Sequence, residues 1–245
     1  MNLATARARA RIGTWPHEPD VGHLVLTDHA MVPSETDVMD WVAIARSRRL
    51  RALRTGAVFS AASRAFVARG FVEIDSLLLL QLDLTDDRAL DLTRAEPPSR
   101  TPRILRGPTR RLTDTRIREA VVVDQRAFGK RWSNDATSLA GIRDATPSHR
   151  NRMIAEHGTL RGFAMSGRAG SRGYIQRLAV DPDSQRSGCG RMLVVDALSW
   201  MRRHRVDKVL VNTAADNVAA LALYESFGFR RDTDTLRVLE LALDL

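Results

Sequence analysis

Residues 178–193 read LAVDPDSQRSGCGRML, and this stretch decides the fold. A short apolar strand, 178–180, is followed by a turn and by a loop, 185–190, with the pattern Gln-x-x-Gly-x-Gly, after which an amphipathic helix begins. Glycines just before a helix let a ligand approach the backbone, because no Cβ stands in the way. The N–H groups of a helix's first turn favour an anion, and Arg186 and Arg191 add positive charge there. The stretch therefore predicts a pyrophosphate cradle built mostly from main chain.

The loop differs from two commoner phosphate loops. A Walker loop needs Lys-Ser/Thr after its last glycine, whereas Arg191 and Met192 follow here. A dinucleotide fingerprint needs three spaced glycines. The loop instead resembles the coenzyme A loop of the GNAT acetyltransferase superfamily, Gln/Arg-x-x-Gly-x-Gly/Ala. The alternative interpretation is a strand–helix turn that contains glycines and binds no ligand.

A second motif lies downstream, where residues 217–229 read NVAALALYESFGF after a β-branched strand over 208–213. It resembles the second GNAT signature, Asn-x-x-Ala-x-x-Leu-Tyr-x-x-x-Gly-Phe, and the two signatures occur in the order and spacing of that family. Four of its residues recur at helical spacing and a glycine suited to a left-handed C-terminal position follows them: Ala220, Leu223, Tyr224, Phe227 and Gly228.

The resemblance implies an acetyl-CoA-dependent N-acetyltransferase with the GNAT fold, an α/β (α+β) architecture on a mixed sheet. In such enzymes the Asn, here Asn217, contacts the pantetheine arm, and the Tyr, here Tyr224, donates a proton to the departing thiolate or only hydrogen-bonds it. Backbone N–H groups of the strand hold the pantetheine and polarise the thioester carbonyl. The implied coenzyme-binding residues are Leu178, Ala179, Val180, Gln185, Arg186, Ser187, Gly188, Cys189, Gly190, Arg191, Asn217 and Tyr224. The alternative interpretation is that Tyr224 has a structural role only, as a packed aromatic side chain whose hydroxyl is solvated.

The resemblance extends from Thr109 to Leu245, and the expected order is helix, helix, three strands, loop and helix, strand, helix, strand. The predicted segments are helices over 115–128 and 136–145, strands over 151–156, 160–166, 174–180 and 208–213, and a final strand over 236–243. The subgroup that it most resembles is bacterial, of actinobacterial type.

Length and composition limit the kinds of protein that this chain can be. The chain has 245 residues, of which 44% are hydrophobic, and a single cysteine, which excludes an intramolecular disulfide and fits a reducing compartment. The longest aliphatic run, 77–80, is too short to span a bilayer. We therefore expect a cytoplasmic protein without a membrane segment. The oligomeric state stays open, with a homodimer among the alternatives.

The net charge of +9 comes almost entirely from arginine, since Lys130 and Lys208 are the only lysines. The arginines lie in scattered clusters and aromatic residues make up only 5% of the chain. A nucleic-acid binder concentrates its charge on one face with aromatics between the basic residues, so the composition argues against nucleic acid as a partner. Polyanionic coenzyme A remains a suitable partner for such a surface.

The first part of the chain resembles a worn copy of the C-terminal end. A Pro-rich linker over 93–108 separates residues 1–92, a degenerate GNAT-like half, from a complete acetyltransferase domain over 109–245. In this first half, no Gln-x-x-Gly-x-Gly loop precedes the helix predicted over 38–49. Phe66 and Phe59 stand at the positions that match Tyr224 and Asn217, so the first half should not bind a second coenzyme. The matches at an offset of 158 are Thr55 with Thr213, Ala57 with Ala215, Ala61-Ala62 with Ala219-Ala220 and Gly70-Phe71 with Gly228-Phe229. The alternative is an accidental helix–Gly-Phe–strand resemblance.

For the acceptor side of the predicted active site, the sequence offers several candidate residues. Many relatives place a glutamate near the strand before the pyrophosphate loop, but this strand offers only Tyr174 and Gln176. Asp181, Glu156 or His157 could act as a base through water, although His157 also fits an exposed turn. Without a strong base, an acceptor with an α-amino group of pKa near ~8 is favoured over a lysine amine near ~10.4. Candidates for the acceptor pocket or for core packing are Phe128, Trp132, Phe163, Tyr174 and Gln176, and no metal is expected.

The leading hypothesis is acetyl transfer from acetyl-CoA to the primary amine of a small molecule. Acetylation of a protein N-terminus or lysine is a second enzymatic hypothesis. Mycothiol synthase shares the tandem organisation but has two full-length halves. A non-catalytic acyl-CoA sensor and a basic interaction module complete the alternatives. In the phosphate loop, Cys189 could form a mixed disulfide with coenzyme A or could simply be a small tolerated residue.

Overall fold

A computed structural model describes residues 8–27, 31–85 and 109–243, and it confirms the expected mixed-sheet α/β architecture. The predicted linker over 93–108 lies outside the described residues. The chain divides into two compact units. Unit 1 comprises the described residues up to Leu79, Asn212–Asp216 and those from Asp232 onward, and unit 2 comprises the described residues between Leu80 and Val211 together with Asn217–Arg231. In the ranges that the structure describes, no helix is both long and apolar enough to cross a membrane.

Unit 1 is built on a mixed sheet with two helices. Strand β1 pairs antiparallel with β2, β2 runs parallel to β3, and β11 pairs antiparallel with both β3 and β4. Leu53 of β3, Phe66 of α2 and Leu239 of β11 are fully buried in one hydrophobic core. The elements are β1 (Ala10–Trp15), β2 (Glu18–Leu26), α1 (Glu35–Ser47), β3 (Ala52–Thr55), β4 (Val58–Phe59), α2 (Ser60–Ala68), most of β5 (Val72–Asp83) and most of β11 (Arg230–Ala242).

Unit 2 contains a sheet with the strand order β6-β7-β8-β9-β10. Its elements are β6 (Arg110–Arg111), α3 (Ile117–Trp132), α4 (Ala136–Asp144), β7 (Ser148–Glu156), β8 (Thr159–Ala169), β9 (Arg172–Val180), α5 (Cys189–Arg203), the first part of β10 (Lys208–Ala214) and α6 (Val218–Glu225). Because successive residues of a strand point to opposite faces, Phe163 and Met165 of β8 pack with α3 and α4, whereas Ala164 packs with α5. The order of elements agrees with the predicted GNAT order.

The compact units divide the chain differently from the predicted domain boundary at Thr109. The final strand, expected over 236–243, is β11, and its residues from Asp232 onward belong to unit 1. The reason is strand pairing, since Glu240 faces Arg54 of β3 and Leu236 faces Phe59 of β4. A leucine-rich sequence predicts a strand, but it does not specify the neighbour to which the strand pairs.

The internal repeat has a structural counterpart. The series β2–α1–β3–α2–β5 (the first copy) and β9–α5–β10–α6–β11 (the second copy) have the same order, and each begins with a parallel strand pair. Helix α2 starts at Ser60 and α6 at Val218, which are 158 residues apart, as the offset predicts. Both helices end alike: Gly70 and Gly228 have φ of 84° and 85°, a conformation that glycine adopts without strain.

Candidate active site

The loop before α5 forms an open cradle. A 3₁₀ turn over Pro182–Ser184 leads to Arg186 and Gly188, which have φ of 58° and 90°. The Ser187 hydroxyl donates to the Ser184 carbonyl at 2.6 Å and fixes the turn. The helix begins at Cys189, and Met192 N–H donates to the Gly188 carbonyl at 3.0 Å. The amides before Met192 are therefore those of the first turn, which have no intrahelical acceptor, and the cap residue, Gly188, has no side chain with which to cap them.

The matching helix of the first copy is closed at the same end. The Ser34 hydroxyl caps α1 by accepting from Asp37 N–H at 3.2 Å, and the Asp37 carboxylate accepts from Ser34 N–H at 2.9 Å. Glu35 adds a second acid to this first turn, whereas the first turn of α5 contains none. Acidic groups oppose an anion at a helix N-terminus, so of these two helix starts the acid-free one at α5 is the better suited to an anion.

Two glycines of the cradle have different roles. Gly188 is needed for its left-handed backbone, where other residues are strained. Gly190 lies at a close approach of elements, since a Cβ there would lie 3.2 Å from Leu223 of α6 and 3.7 Å from Val180 of β9. Arg191 also reaches α6, donating to the Ser226 hydroxyl at 3.1 Å and lying 4.7 Å over the Phe227 ring. The cradle, the end of β9 and α6 therefore meet.

The Cys189 side chain does not face the cradle. It is buried with Leu193 and Ala164, and burial raises the pKa of its thiol to about 12. A Cβ on Gly162 would come within 2.7 Å of its sulfur, which places the thiol against β8. Of the two interpretations of Cys189, its burial favours the small tolerated residue and leaves the thiol out of reach of a disulfide with coenzyme A.

Strand β9 loses one neighbour before it reaches the cradle. Its pairing with β10 covers Arg172 to Tyr174, whereas its pairing with β8 continues to Val180. Among the described residues, the backbone edge of 175–180 that faces away from β8 is thus without a strand partner. Leu178 and Val180, the predicted amide donors, lie on this segment together with Ala179. Such a separation between strands leaves room for an extended ligand to hydrogen-bond to main chain.

Tyr224 and Asn217 both lie on α6. Tyr224 is 4% exposed, and its ring centroid is 5.5 Å from that of Phe229. Burial raises the pKa of its hydroxyl well above the ordinary value, while the positive charge of Arg177 lowers it by less, so the phenol is protonated at neutral pH. Asn217 caps α6, its Oδ1 accepting from Ala220 N–H at 3.1 Å, and its Nδ2 keeps two donor hydrogens for a ligand.

The predicted acceptor-side residues fall into different environments. Phe163 is fully buried in the core, so it packs and does not line a pocket. Gln176 donates from Nε2 to the Ile142 carbonyl at 3.0 Å and ties β9 to the end of α4. Tyr174, Phe128 and Trp132 are half-buried. These last three residues remain candidates for contact with an acceptor.

The three candidate bases are engaged elsewhere or lie in a turn. Asp181 is buried and paired with Arg126 of α3 at 2.5 Å. Glu156 pairs with Arg161 at 3.1 Å, and His157 lies exposed in the turn between β7 and β8 with φ of 47°. In the part of the chain that the structure describes, no group of three or more His, Cys, Asp or Glu side chains could hold a metal.

Two arginines at this site, Arg126 and Arg177, form ion pairs that the sequence did not predict. Arg126 of α3 binds Asp181 and also Asp183 at 3.0 Å, which fixes the turn that leads into the cradle. Asp124, fully buried on the same helix, pairs with Arg177 of β9. One signal could have revealed the pair with Arg177: Asp124 lies four residues after Ala120, on the buried face of α3, and a buried carboxylate requires a cation.

Comparison with known proteins agrees with this geometry. The sequence model of the Acetyltransferase (GNAT) family matches residues 117–229. The [ribosomal protein bS18]-alanine N-acetyltransferase of Escherichia coli is 32% identical over 123 residues, which cover 50% of this chain and 80% of that protein. The mycothiol acetyltransferase of Kocuria rhizophila is 32% identical over 107 residues, 44% of this chain and 34% of that protein. A tandem GNAT protein from the clavulanic acid biosynthesis pathway superposes with a TM-score of 0.64 and 16% identity, covering 99% of this chain and 81% of that one.

Proposed function

Since the chain belongs to the GNAT family of N-acetyltransferases, we propose that it transfers the acetyl group of acetyl-CoA to a primary amine of low pKa, borne by a small molecule. The observation that carries this proposal is the glycine-capped, acid-free N-terminus of α5 next to an edge of β9 that has no strand partner among the described residues. A protein N-terminus is the second candidate acceptor. It is favoured by the relative named for acetylating an alanine of a ribosomal protein.

The coenzyme fits the residues present. The amides of 188–191 would receive the pyrophosphate, the free edge of 178–180 would bind the pantetheine, and Nδ2 of Asn217 would donate to the same arm. Acetyl-CoA supplies the thioester whose C–S bond breaks as the amine nitrogen bonds to the carbonyl carbon. Tyr224, protonated at neutral pH, would give its proton to the departing thiolate, and the amine would lose one to solvent.

The ion pairs of the candidate general bases indicate which class of amine can act as the acceptor. Asp181 and Glu156 are held in ion pairs, so the protein offers little help in deprotonating an ammonium group. An amine must then arrive neutral, and at pH 7.5 the neutral fraction of an α-amine is roughly two-hundredfold larger than that of a lysine amine. We therefore expect kcat/KM to rise with pH up to the pKa of the acceptor's own amine.

The first experiment is calorimetric titration of acetyl-CoA into the natural protein, Gly188→Glu and Gly170→Glu. Both glycines have positive φ, so strain and added charge are matched, but Gly170 lies in the turn between β8 and β9. We expect binding that only Gly188→Glu abolishes. Equal binding by all three proteins would overturn the cradle.

Alanine amide, an alanine-initiated peptide and Nα-acetyl-lysine amide are then offered as acceptors. Preference for the first supports the small-molecule proposal, and preference for the peptide supports the second candidate. Faster transfer to the lysine amine would contradict the argument from the bases. Binding without acetylation of any amine would favour a sensor.

A further inference from the structure

A β-bulge in β9 turns two consecutive polar side chains toward the same face of the sheet. Met165 of β8 faces Arg177, but the next residue, Ser166, faces Ile175, so Gln176 is the extra residue. Gln176 bonds to α4 through the Ile142 carbonyl, and Arg177 bonds to α3. Without the bulge, alternation would place one of the two on the opposite face, under α5.

Arg177 makes an unusually complete set of contacts. Its Nε and Nη2 donate to the two carboxylate oxygens of Asp124, both at 2.7 Å, and Nη2 also donates to the Trp132 carbonyl at 2.9 Å. The guanidinium carbon lies 3.6 Å from the centroid of the Phe128 ring. Asp124 in turn accepts from Asn134 N–H at 2.7 Å. A single side chain of β9 therefore contacts the end of α3 and the segment that follows it.

A break in α3 makes these contacts possible. Gly129 has φ of 72° and ψ of 167°, a conformation open essentially to glycine alone. The chain changes direction there, which turns the Trp132 carbonyl toward Arg177, and Ser133 N–H closes the turn on the Gly129 carbonyl at 3.1 Å. The segment 129–134, here called the α3–α4 connection, is thus bound to β9 by one guanidinium.

We propose that Arg177 is a positioning residue for the acceptor amine, which it places by fixing the α3–α4 connection, with Phe128 and Trp132, against β9. This inference rests on the proposed function, since it concerns the acceptor of that reaction. The charge of Arg177 is committed to a fully buried carboxylate, so it acts through geometry and is not a free anion-binding group.

The substitution Arg177→Lys tests this role, because lysine keeps the charge but cannot make a two-pronged bond to a carboxylate. We expect KM for the acceptor to rise roughly ten- to a hundredfold, because the α3–α4 connection is misplaced. The change in kcat should be smaller, and the Kd of acetyl-CoA should not change. The matched control is Arg150→Lys, which weakens another two-pronged pair, with Asp196 at 2.5 and 3.1 Å between β7 and α5. Unchanged acceptor KM, or a parallel loss of coenzyme affinity and kcat, would overturn the proposal.

Hydrogen exchange gives a readout that does not depend on activity. We expect amides of the α3–α4 connection to exchange about tenfold faster in Arg177→Lys and to be unaffected in Arg150→Lys. The double variant Asp124→Leu/Arg177→Met, which replaces the pair with apolar groups, keeps the question answerable if the single variant does not fold. If the natural protein acetylates no amine, the proposed function fails, and exchange at 129–134 alone decides whether Arg177 holds the connection; unchanged exchange there refutes it.

Discussion

Tyr224 has a natural comparison within the same chain. Phe66 occupies the matching position of the first copy. In both copies the aromatic that follows the C-terminal glycine, Phe71 or Phe229, donates its backbone N–H to the carbonyl at this position at 3.2 Å. The ring pairs are also alike, with centroids 5.2 Å apart for Phe66–Phe71 and 5.5 Å for Tyr224–Phe229. A phenylalanine is therefore compatible with this local structure, and the hydroxyl is the feature specific to the second copy.

We accordingly expect Tyr224→Phe to lower kcat by about 10²- to 10⁴-fold, the usual contribution of a general acid. The Kd of acetyl-CoA and the thermal midpoint should not change, because the ring and its packing remain. Steady-state kinetics, calorimetry and a melting curve measure the three quantities. A kcat within threefold of the natural value would show that Tyr224 only packs against Phe229.

At the residue scale, sequence predicts a role where a local motif carries it. Gly188, Asn217 and Tyr224 could be predicted as site residues because their spacing along the chain is fixed by one loop or one helix. Asp124 and Arg177 are 53 residues apart, and their pairing depends on a bulge that the sequence does not announce. The orientation of Cys189 was missed for a related reason, since a loop pattern does not say which side of a helix start faces the core.

At the scale of elements, Asn217 combines two tasks that a substitution can separate. Its Oδ1 caps α6, and its Nδ2 is the proposed donor to pantetheine. Serine also caps helices but has no amide donor. We expect Asn217→Ser to change the free energy of unfolding by less than about 0.5 kcal/mol while weakening acetyl-CoA binding about tenfold, the value of one hydrogen bond.

Asn217→Ala is the matched comparison, because it removes the cap as well. It should cost about 1 kcal/mol of stability in addition to the same loss of affinity. Urea unfolding and calorimetric titration of the two variants measure these effects. Equal acetyl-CoA affinity for the natural protein and Asn217→Ser would remove the amide from the coenzyme site.

Most element positions were predictable to within about four residues, because hydrophobic periodicity and caps are local, but β11 begins at Arg230, well before the expected start at 236. Helix α4, expected over 136–145, covers Ala136–Asp144, and its start is fixed by Asp135, which accepts from Ser138 N–H at 2.7 Å. Strand β9 begins two residues earlier than expected and ends as expected, at Val180. The partners of β11 were not predictable, since any strand with one apolar face can extend several sheet edges.

At the scale of the whole molecule, the first copy keeps the fold of the second without its cradle. Its parallel strands stay together, with Leu24 facing Thr55 and Gly56 N–H donating to the Leu24 carbonyl at 2.8 Å, whereas β9 and β10 part after Tyr174. The strands of unit 1 carry a cluster of packed polar and aromatic side chains. In this cluster Arg54, 5% exposed, pairs with Glu18 and Glu240 and lies 4.5 Å over the Trp15 ring. A role of unit 1 in stability can therefore be tested apart from catalysis.

His23 provides that test, because burial, followed by the charges of Arg11 and Arg54, lowers its pKa from 6.5 to about 4. Above pH 6.5 the ring is neutral in both the folded and the unfolded chain. Between pH 6.5 and 4 the unfolded chain binds a proton that the folded chain does not, so the free energy of unfolding decreases as the pH is lowered. The decrease is about 2 kcal/mol at pH 5. Even Glu119, whose pKa is lowered from its ordinary 4.5 by its hydrogen bond to Arg116, takes up its proton mainly below that value, so carboxyl groups of this kind contribute little at pH 5. Urea unfolding at pH 7.5 and pH 5 should show the loss in the natural protein and in His157→Gln, a control in an exposed turn, but not in His23→Gln. An equal loss in all three proteins would place the proton uptake elsewhere.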